Sequence, residues 1–462
     1  MFDLTHLANS HRLFFLNGND ISLNEFIIDI NHYRAKIRNF KKAQSSANQL
    51  INTPLKVVLY HSDTYQFSIR LFALSAESID VYFPSNSQIQ TLDSLFATTD
   101  AFSGELGHEI TFPSIESVDF ERKSDNPQLN STSGFSWPDS GDLYFSTSGS
   151  TGDAKIIHKS WQQINLELAQ LQNVFNIKRY EKLIATVSHQ HIYGLLFRLL
   201  WPLSNGTLIS DTFEYPEHVK SALQSDKKVA LISSPAFLKR LINDNVLAAY
   251  SNHFSYIFSS GGLLADDIAI HLNQQLDFPI TQVYGSTETG GIAYRQVDSL
   301  PASHWQTFKG ITLSVEAQSK RLILQSPWVS DSSMLLDDMG ELTSATEFTL
   351  QGRIDRNVKL EEKRVNLSAM EQVANEHCWI NESRILLKTG KRDVLFAVLS
   401  LTELGLVKRD ELTTIAFTRE IKNHLLGKFE LVCLPKKWRY LTELPYNSQG
   451  KLVQRELEKL FE

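Results

Sequence analysis

The chain has 462 residues, against about 150 for an average domain, so two or three structural units are expected. Hydrophobic residues at 42% and charged residues at 21% are ordinary globular proportions and exclude a disordered chain. Forty-five basic against 52 acidic residues give a net charge of −7 with His neutral; this excludes a basic footprint for a nucleic-acid backbone and disfavours a polybasic membrane patch.

From the N-terminus, Met1–Asp20 lacks a basic start, an apolar core and a small-residue cleavage site, so no signal peptide is expected. Residues 1–140 carry no readable motif. Glu121–Gly141 is rich in Ser, Asn, Pro and Gly and reads as a surface connection. Asp142–Thr147 then reads as a strand. Ser160 and Gln163 have capping-box spacing ahead of a helix with Trp161, Ile164, Leu168, Leu171 and Phe175 on one face. The apolar stretch Leu195–Leu203 is broken by Arg198 and Pro202 and is too short to cross a bilayer, so no membrane insertion is expected. Next come Val229–Ser233 (strand), Ala236–Tyr250 (helix), Tyr256–Ser259 (strand), Leu264–Leu276 (helix) and Gln282–Tyr284 (strand). That alternation predicts an α/β domain with a largely parallel sheet.

Around Gln351–Lys363 the apolar pattern gives way to the charged run Arg353–Arg364, and the domain boundary is placed at Asp355. Beyond it, Ser368 and Glu371 form another capping-box pattern. A hairpin from Arg384–Lys388 and Val394–Leu401, an amphipathic helix over Arg409–Leu426 and a closing segment Lys451–Phe461 follow. These predict a compact α+β domain, residues 355–462, after an α/β domain of residues 1–354. Cys378 and Cys433 lie far apart with no CxxC spacing. Neither a disulfide framework nor a Cys-built zinc site is expected, and a reducing, cytoplasmic compartment fits.

The strongest chemical signal is Thr147-Ser148-Gly149-Ser150-Thr151-Gly152-Asp153-Ala154-Lys155. Two glycines allow close backbone approach to an anion, and four hydroxyls and a lysine supply donors. That is equipment for holding a polyphosphate. A Walker loop would need Gly-x4-Gly-Lys-Ser/Thr entering a helix. Here Lys155 stands three residues after the second glycine and a strand-like run, Ile156-Ile157-His158, follows. The Walker reading fails, and a plain Ser/Thr/Gly surface loop is a poor account of nine residues in this order.

The segment resembles the phosphate loop T-S-G-S-T-G-x-P-K-G of the adenylate-forming superfamily, which includes acyl- and aryl-CoA synthetases, carrier-protein-loading adenylation domains and luciferases. Ala154 and Ile156 stand where Pro and Gly are usual. Gln190-His191-Ile192-Tyr193-Gly194-Leu195 resembles the family's F-H-x-x-G-L, which gates the acyl pocket; taken alone, His191 reads as a satisfied core histidine. Ser260-Gly261-Gly262 resembles the glycine-rich turn laid against adenine and the acyl group. Tyr284-Gly285-Ser286-Thr287-Glu288 is similar to Y-G-x-T-E, with an aromatic face for adenine, a hydroxyl for the α-phosphate and a carboxylate for Mg2+. Leu336–Glu341 stands at T-G-D-L-G-R without its Thr-Gly; Asp338 aligns with the ribose-binding Asp, and Asp337 beside it is the alternative. Gly352-Arg353-Ile354-Asp355 resembles G-R-x-D, in which the Arg contacts ribose and phosphate and the Asp is a hinge. Leu444–Leu452 resembles L-P-x-T-x-x-G-K-(I/L), with Arg455 trailing, and assigns the catalytic lysine to Lys451. The resemblance runs from about Asp142 to the C-terminus.

The resemblance implies an α/β fold with a large N-terminal α/β domain and a small mobile α+β C-terminal lid. It implies ATP and Mg2+ as cofactors and a carboxylic acid as substrate. The carboxylate attacks the α-phosphorus of ATP, and a thiol of CoA or phosphopantetheine then takes the acyl group after the C-terminal unit swings about Asp355. Glu362 stands where the family commonly has a glycine beside the pantetheine arm. A carboxylate there repels a phosphorylated CoA and favours an acyl carrier protein, docked on basic residues such as Lys388, Lys391 and Arg392. The neighbourhood of His191, Tyr193 and Gly261 suits an aryl or medium apolar acid. A non-thiol acceptor and a degenerate nucleotide-binding protein are the alternatives, and the joint presence of Lys155, Glu288, Arg353 and Lys451 counts against the second.

Overall fold

The computed structural model describes residues 7–16, 18–47, 54–87, 89–105, 112–115, 136–148, 154–178, 181–213, 215–223, 228–241, 248–300, 304–329, 332–360, 363–390, 393–446 and 452–462. By internal contacts the chain divides into two units: Met1–Ile311 with Gln325–Ser332, and Thr312–Leu324 with Ser333–Glu462.

In the first unit the runs read as strands stack side by side. Ile280–Ser286, Phe254–Ser259, Val229–Ser233, Lys182–Ala185, Leu208–Thr212 and Arg12–Leu16 pair in that order, all parallel. Gly290–Gln296 and Trp305–Thr307 extend one flank antiparallel, and Asn19–Ser22 folds back on the other. Every residue of Val229–Ser233 is buried, as expected of a central strand covered on both faces. A second sheet sets Ala101–Gly104, Lys56–Tyr60, Asp80–Phe83 and Leu143–Ser148 in parallel, and Ala154–Lys159 closes it antiparallel. The motif-free N-terminal region therefore supplies the platform on which the glycine-rich hairpin stands.

The helix Trp161–Phe175 forms as its sequence predicts, with the Ser160–Gln163 capping box closed in both directions and Asn176 left-handed at its C-cap. Its apolar face anchors the large sheet: the Phe175 ring lies 4.9–6.1 Å from those of Trp201, Tyr256, Phe258, Tyr294 and Phe308. The helix expected over Ala236–Tyr250 is shorter. Pro235–Leu241 is helical, residues 242–247 lie outside the described set, and Ala248–His253 is a 3-10 turn. Leu195–Leu200 is a π-helical turn leading into the helix Trp201–Asn205, and Arg198 within it is fully buried. No helix among the described residues is long and apolar enough to cross a membrane.

In the second unit Thr312–Val315, Arg321–Gln325, Met334–Leu342 and Glu347–Arg353 form a sequential sheet. A ribbon of Asn357–Leu360 and Lys363–Asn366 follows. Then Ile380–Lys388 and Val394–Leu401 make the expected hairpin, and Lys437–Leu441 adds parallel to it. Met370, Ile385, Leu399, Phe417, Ile421 and Leu425 share its core. Both cysteines are free thiols, Cys378 exposed and Cys433 buried.

Two sequence expectations fail here for physical reasons. The Arg409–Leu426 helix is broken into Glu403–Glu411 and Thr414–Leu426, because the Thr413 side chain accepts the Ala416 N–H at 3.3 Å and starts a new helix. The helix Leu367–Asn375 is capped by Asn366, not Ser368, and Glu371 has other work. The Glu371 carboxylate is buried. It accepts the Ile385 N–H at 2.7 Å and pairs with Arg356 and, at 3.4 Å, with Arg384.

Losing a capping residue costs about 1 kcal/mol, whereas stripping the partner from a buried charge costs roughly 3–5 kcal/mol. Glu371→Ala should therefore lower urea-unfolding stability by the larger amount. A loss near the smaller figure would contradict the buried-pair role.

Candidate functional site

Parallel strands deliver their C-terminal ends to one edge of a sheet, the usual place for ligands in open α/β folds. In the first unit Thr186, Ser233, Ser259 and Tyr284 stand on or just beyond such ends. Thr186 and Ser233 share a hydroxyl contact of 2.9 Å. The Tyr193 hydroxyl donates to the Ser233 carbonyl at 3.2 Å, which brings the helical turn Ile192–Gly194 onto this edge. Burial raises the Tyr193 phenol far above its ordinary value, so it stays a donor. The Ser260 hydroxyl donates to the Val283 carbonyl at 2.9 Å and ties the exposed pair Gly261–Gly262 to the neighbouring strand.

The histidines of this region differ. His189 is buried, with its ring nitrogens 3.2 Å from the Thr64 hydroxyl and 2.9 Å from the His61 carbonyl. Burial first, and then the Arg198 guanidinium, hold it well below the ordinary histidine range, so it is a neutral framework residue. His191 is half-buried at the start of the Ile192–Gly194 turn. Gly194 is packed so closely that a Cβ would fall 1.9 Å from the Ser188 carbonyl.

Strand Ile280–Ser286 turns back into Gly290–Gln296. At Gly285 a Cβ would sit 2.2 Å from the Gly290 carbonyl, so the tight return requires glycine. Ser286 and Thr289 lock the turn: the Ser286 N–H donates to the Thr289 hydroxyl at 2.9 Å and the Thr289 N–H to the Ser286 hydroxyl at 3.2 Å. Thr287 and Glu288 stand half-buried at its tip.

The glycine-rich segment is the connection of a hairpin. Thr147 faces Lys155, Ser148 faces Ala154, and the Thr147 hydroxyl donates to the Lys155 carbonyl at 3.1 Å. Lys155 is exposed. Gly149, Ser150, Thr151 and Gly152 lie outside the described residues. The strand leaving the loop ends on Lys159, a buried lysine that sequence reasoning passed over. Its Nζ donates to the Glu288 carbonyl at 2.8 Å and the Trp328 carbonyl at 3.2 Å. Burial lowers its pKa, while the charges of Glu167 and Glu288 oppose the shift. Glu167, also buried and also passed over, accepts the Gly291 N–H at 2.6 Å. Both could have been found. Lys159 shares a strand face with buried Ile157, and Glu167 falls on the apolar stripe beside Ile164 and Leu168.

In the second unit Asp338 and Arg353 face each other across adjacent strands. Arg353 lies 3.7 Å from Asp338 and 3.4 Å from Asp337, and Arg321 holds Asp337 at 2.8 Å. Arg353 thus engages both aspartates. Asp355 falls in the 3-10 turn Ile354–Arg356; its side chain, Glu362 and Lys451 lie outside the described residues, as do Lys391 and Arg392. Tyr446 and Leu452, which flank residues 447–451, bridge antiparallel, and the Tyr446 hydroxyl donates to Glu382 at 2.5 Å.

Among the described residues no cluster of three or more His, Cys, Asp or Glu could enclose a metal ion. Glu288 offers one carboxylate. This donor set suits a Mg2+ ion that takes its remaining ligands from a bound phosphate and water. A cavity of about 500 Å3 is lined by Ser62, Asp63, Thr64, Thr212, Phe213, His218 and Ser221, and Thr64 is also the hydroxyl beside His189.

Comparison with known proteins bears on this geometry. The family model described as "AMP-binding enzyme" matches residues 95–319. A 4-coumarate–CoA ligase of Halorhodospira halophila is 24% identical over 67% of this chain and 74% of its own. A 3,4-dihydroxybenzoate–[aryl-carrier protein] ligase of Bacillus anthracis is 20% identical over 68% of this chain and 72% of its own. The solved structure of the ATP-bound RpMatB-BxBclM chimera B1 superposes with a TM-score of 0.79 at 14% identity, covering 98% of this chain and 96% of its own. That likeness shows the fold.

Burial raises the Glu167 carboxyl from its ordinary 4.5 to about 7, with the Gly291 N–H and Lys159 opposing. A carboxyl raised in the fold holds a proton that the unfolded chain has released, so stability is lost as pH climbs from about 4.5 to about 7. At about 1.4 kcal/mol per pH unit, wild type should lose up to roughly 3 kcal/mol relative to Glu167→Gln across that window. Stability curves that run parallel from pH 4.5 to 7 would refute this assignment.

Proposed function

We propose that this chain, which belongs to the adenylate-forming (AMP-binding) superfamily, activates an aryl or fatty acid as its acyl-adenylate and passes the acyl group to a phosphopantetheine thiol of a carrier protein or CoA. As an ATP-dependent, AMP-forming ligase of the acyl- and aryl-CoA synthetase type, it has two acceptor classes among its relatives, CoA and an aryl-carrier protein. The observation that carries the reading is the bond from Lys159 to the Glu288 carbonyl. It joins the strand leaving the glycine-rich loop to the turn bearing Thr287 and Glu288, which supports the reading that the polyphosphate-type loop and the carboxylate serve one ligand.

In this reading the Thr147–Lys155 hairpin, with Ser148, Gly149, Ser150, Thr151 and Gly152, holds the polyphosphate of ATP. Tyr284, Gly285, Gly261 and Gly262 receive adenine, and Asp338 and Arg353 hold the ribose. His191, Tyr193 and Gly194 line the place of the acid. An acid oxygen attacks the α-phosphorus; the new C–O–P bond forms as the α–β bridging P–O bond breaks, and pyrophosphate leaves. Two anions must meet, so placed positive charge decides the barrier. Lys451 would supply it at the carboxylate, and the Thr287 hydroxyl would orient the α-phosphate. Glu288 would hold Mg2+, which would supply further positive charge for the pyrophosphate leaving group. Asp355 would be the hinge about which residues 355–462 turn to admit the thiol. The reducing cytoplasm is the compartment in which Cys378 and Cys433 remain thiols.

Carboxylate-dependent ATP–pyrophosphate exchange against fatty, aryl and hydroxy-aryl acids tests the reading, and silence across the panel would sink it. Lys451→Ala should depress exchange by roughly a hundredfold or more yet still convert a preformed adenylate to thioester. Equal loss of both half-reactions would remove the assigned division of labour. Thioester formation with holo carrier protein and with CoA, side by side, identifies the acceptor.

A further inference from the structure

We propose that Lys159 and Glu167 are positioning residues for the Thr287–Glu288 turn, fixing from beneath the place at which Glu288 meets a nucleotide-bound divalent cation. The inference rests on the reading of Glu288 given above.

Four contacts carry it. Lys159 is 3% exposed, and its ammonium is committed to two backbone carbonyls, those of Glu288 at 2.8 Å and Trp328 at 3.2 Å. The Trp328 indole N–H donates to the Gly291 carbonyl at 3.2 Å, and the Gly291 N–H donates to Glu167 at 2.6 Å. Residues 288 and 291 are thereby held from below on both sides of Thr289–Gly290. The fit leaves no slack: Gly290 has φ +64°, and a Cβ there would fall 2.5 Å from Glu167 Oε2 and 2.8 Å from Trp328 Cδ1.

Buried charges are a poor choice for a part that only fills space. Apolar residues of the same volume are often as stabilising or more so, and the turn already has its own Ser286–Thr289 lock. What an ammonium adds is a strong, directed bond to the peptide of the very residue that offers the carboxylate. The strand also sets a spacing. Lys155, beside the glycine-rich loop, and Lys159 are four residues apart, about 13 Å at 3.3 Å per residue. One rigid element thus sets the phosphate-loop lysine against the Glu288 turn.

The test is calorimetric titration of ATP into the purified full-length chain, without any acid so that no turnover occurs, in EDTA and in excess Mg2+, alongside thermal unfolding. Partners behind a metal ligand are typically worth tenfold or more in metal affinity. Lys159→Met should therefore lose roughly tenfold of the magnesium-dependent gain in ATP affinity with little change in EDTA. Glu167→Gln keeps the acceptor for Gly291 and removes the carboxylate; titrated well above the value of about 7 to which burial raises Glu167, it should lose a smaller but measurable part of that gain at an unreduced melting temperature. This variant carries the test alone if Lys159→Met does not fold. The double variant should regain the melting temperature lost by Lys159→Met without regaining the magnesium-dependent gain.

Wild-type magnesium dependence in the folded single variants would overturn the proposal. So would magnesium dependence that recovers with melting temperature in the double variant, or a wild-type chain whose ATP affinity ignores Mg2+. Silence in pyrophosphate exchange with the magnesium-linked binding behaving as expected would count against the proposed function and leave the positioning role standing.

Discussion

A parallel sheet cannot scatter its strand ends: every strand runs the same way, so every C-terminus arrives at one edge, and the chain must cross back before the next begins. Most of the candidate site in the first unit follows from that constraint. Thr186, Ser233, Ser260 and Tyr284 come from segments far apart in sequence, yet hydroxyl-to-carbonyl and hydroxyl-to-hydroxyl bonds join neighbouring ends. Tyr193 is drawn to the same edge by its bond to Ser233. The residues that differ from one ligand chemistry to another sit on short turns, and the rigid sheet fixes where those turns begin.

Beneath that edge the protein holds charge where water cannot reach. A net charge of −7 makes placed cations scarce and valuable for any anionic ligand. The fold spends Lys159 on backbone carbonyls and leaves Lys155 exposed beside the glycine-rich loop. The two lysines share a strand but not an environment. One is a fixture of the interior; the other is available to a ligand.

The sequence made the alternation of strands and helices legible because each segment is regular. Val229–Ser233 is an unbroken buried run, and the Ser160–Gln163 box opens its helix as written. The glycine-rich loop and the Tyr284–Glu288 turn were legible because their demands are local: close backbone approach and a fixed order of donors. Legibility failed where tertiary partners decide. Glu371 has cap spacing, but Arg356, Arg384 and the Ile385 N–H claim it. Thr413 opens a new helix by accepting the Ala416 N–H, inside a run whose pattern reads as one helix. The first 140 residues offered no motif because their work is to build a sheet, a task that many sequences accomplish. Lys159 and Glu167 were overlooked because charged residues default to the surface, and only the periodicity of their neighbours marks them as interior.

The pairing of Arg353 with Asp337 and Asp338 has a consequence of another kind. Its side chain is 45% exposed, as Asp337 is at 52%, so this cluster faces solvent and its attractions fade over a Debye length of about 10 Å at 0.1 M salt. The Lys159 contacts lie where counter-ions do not penetrate. Ionic strength therefore acts as a selective solvent for this molecule: it loosens the charge cluster of the second unit while the interior of the first keeps its full electrostatic grip.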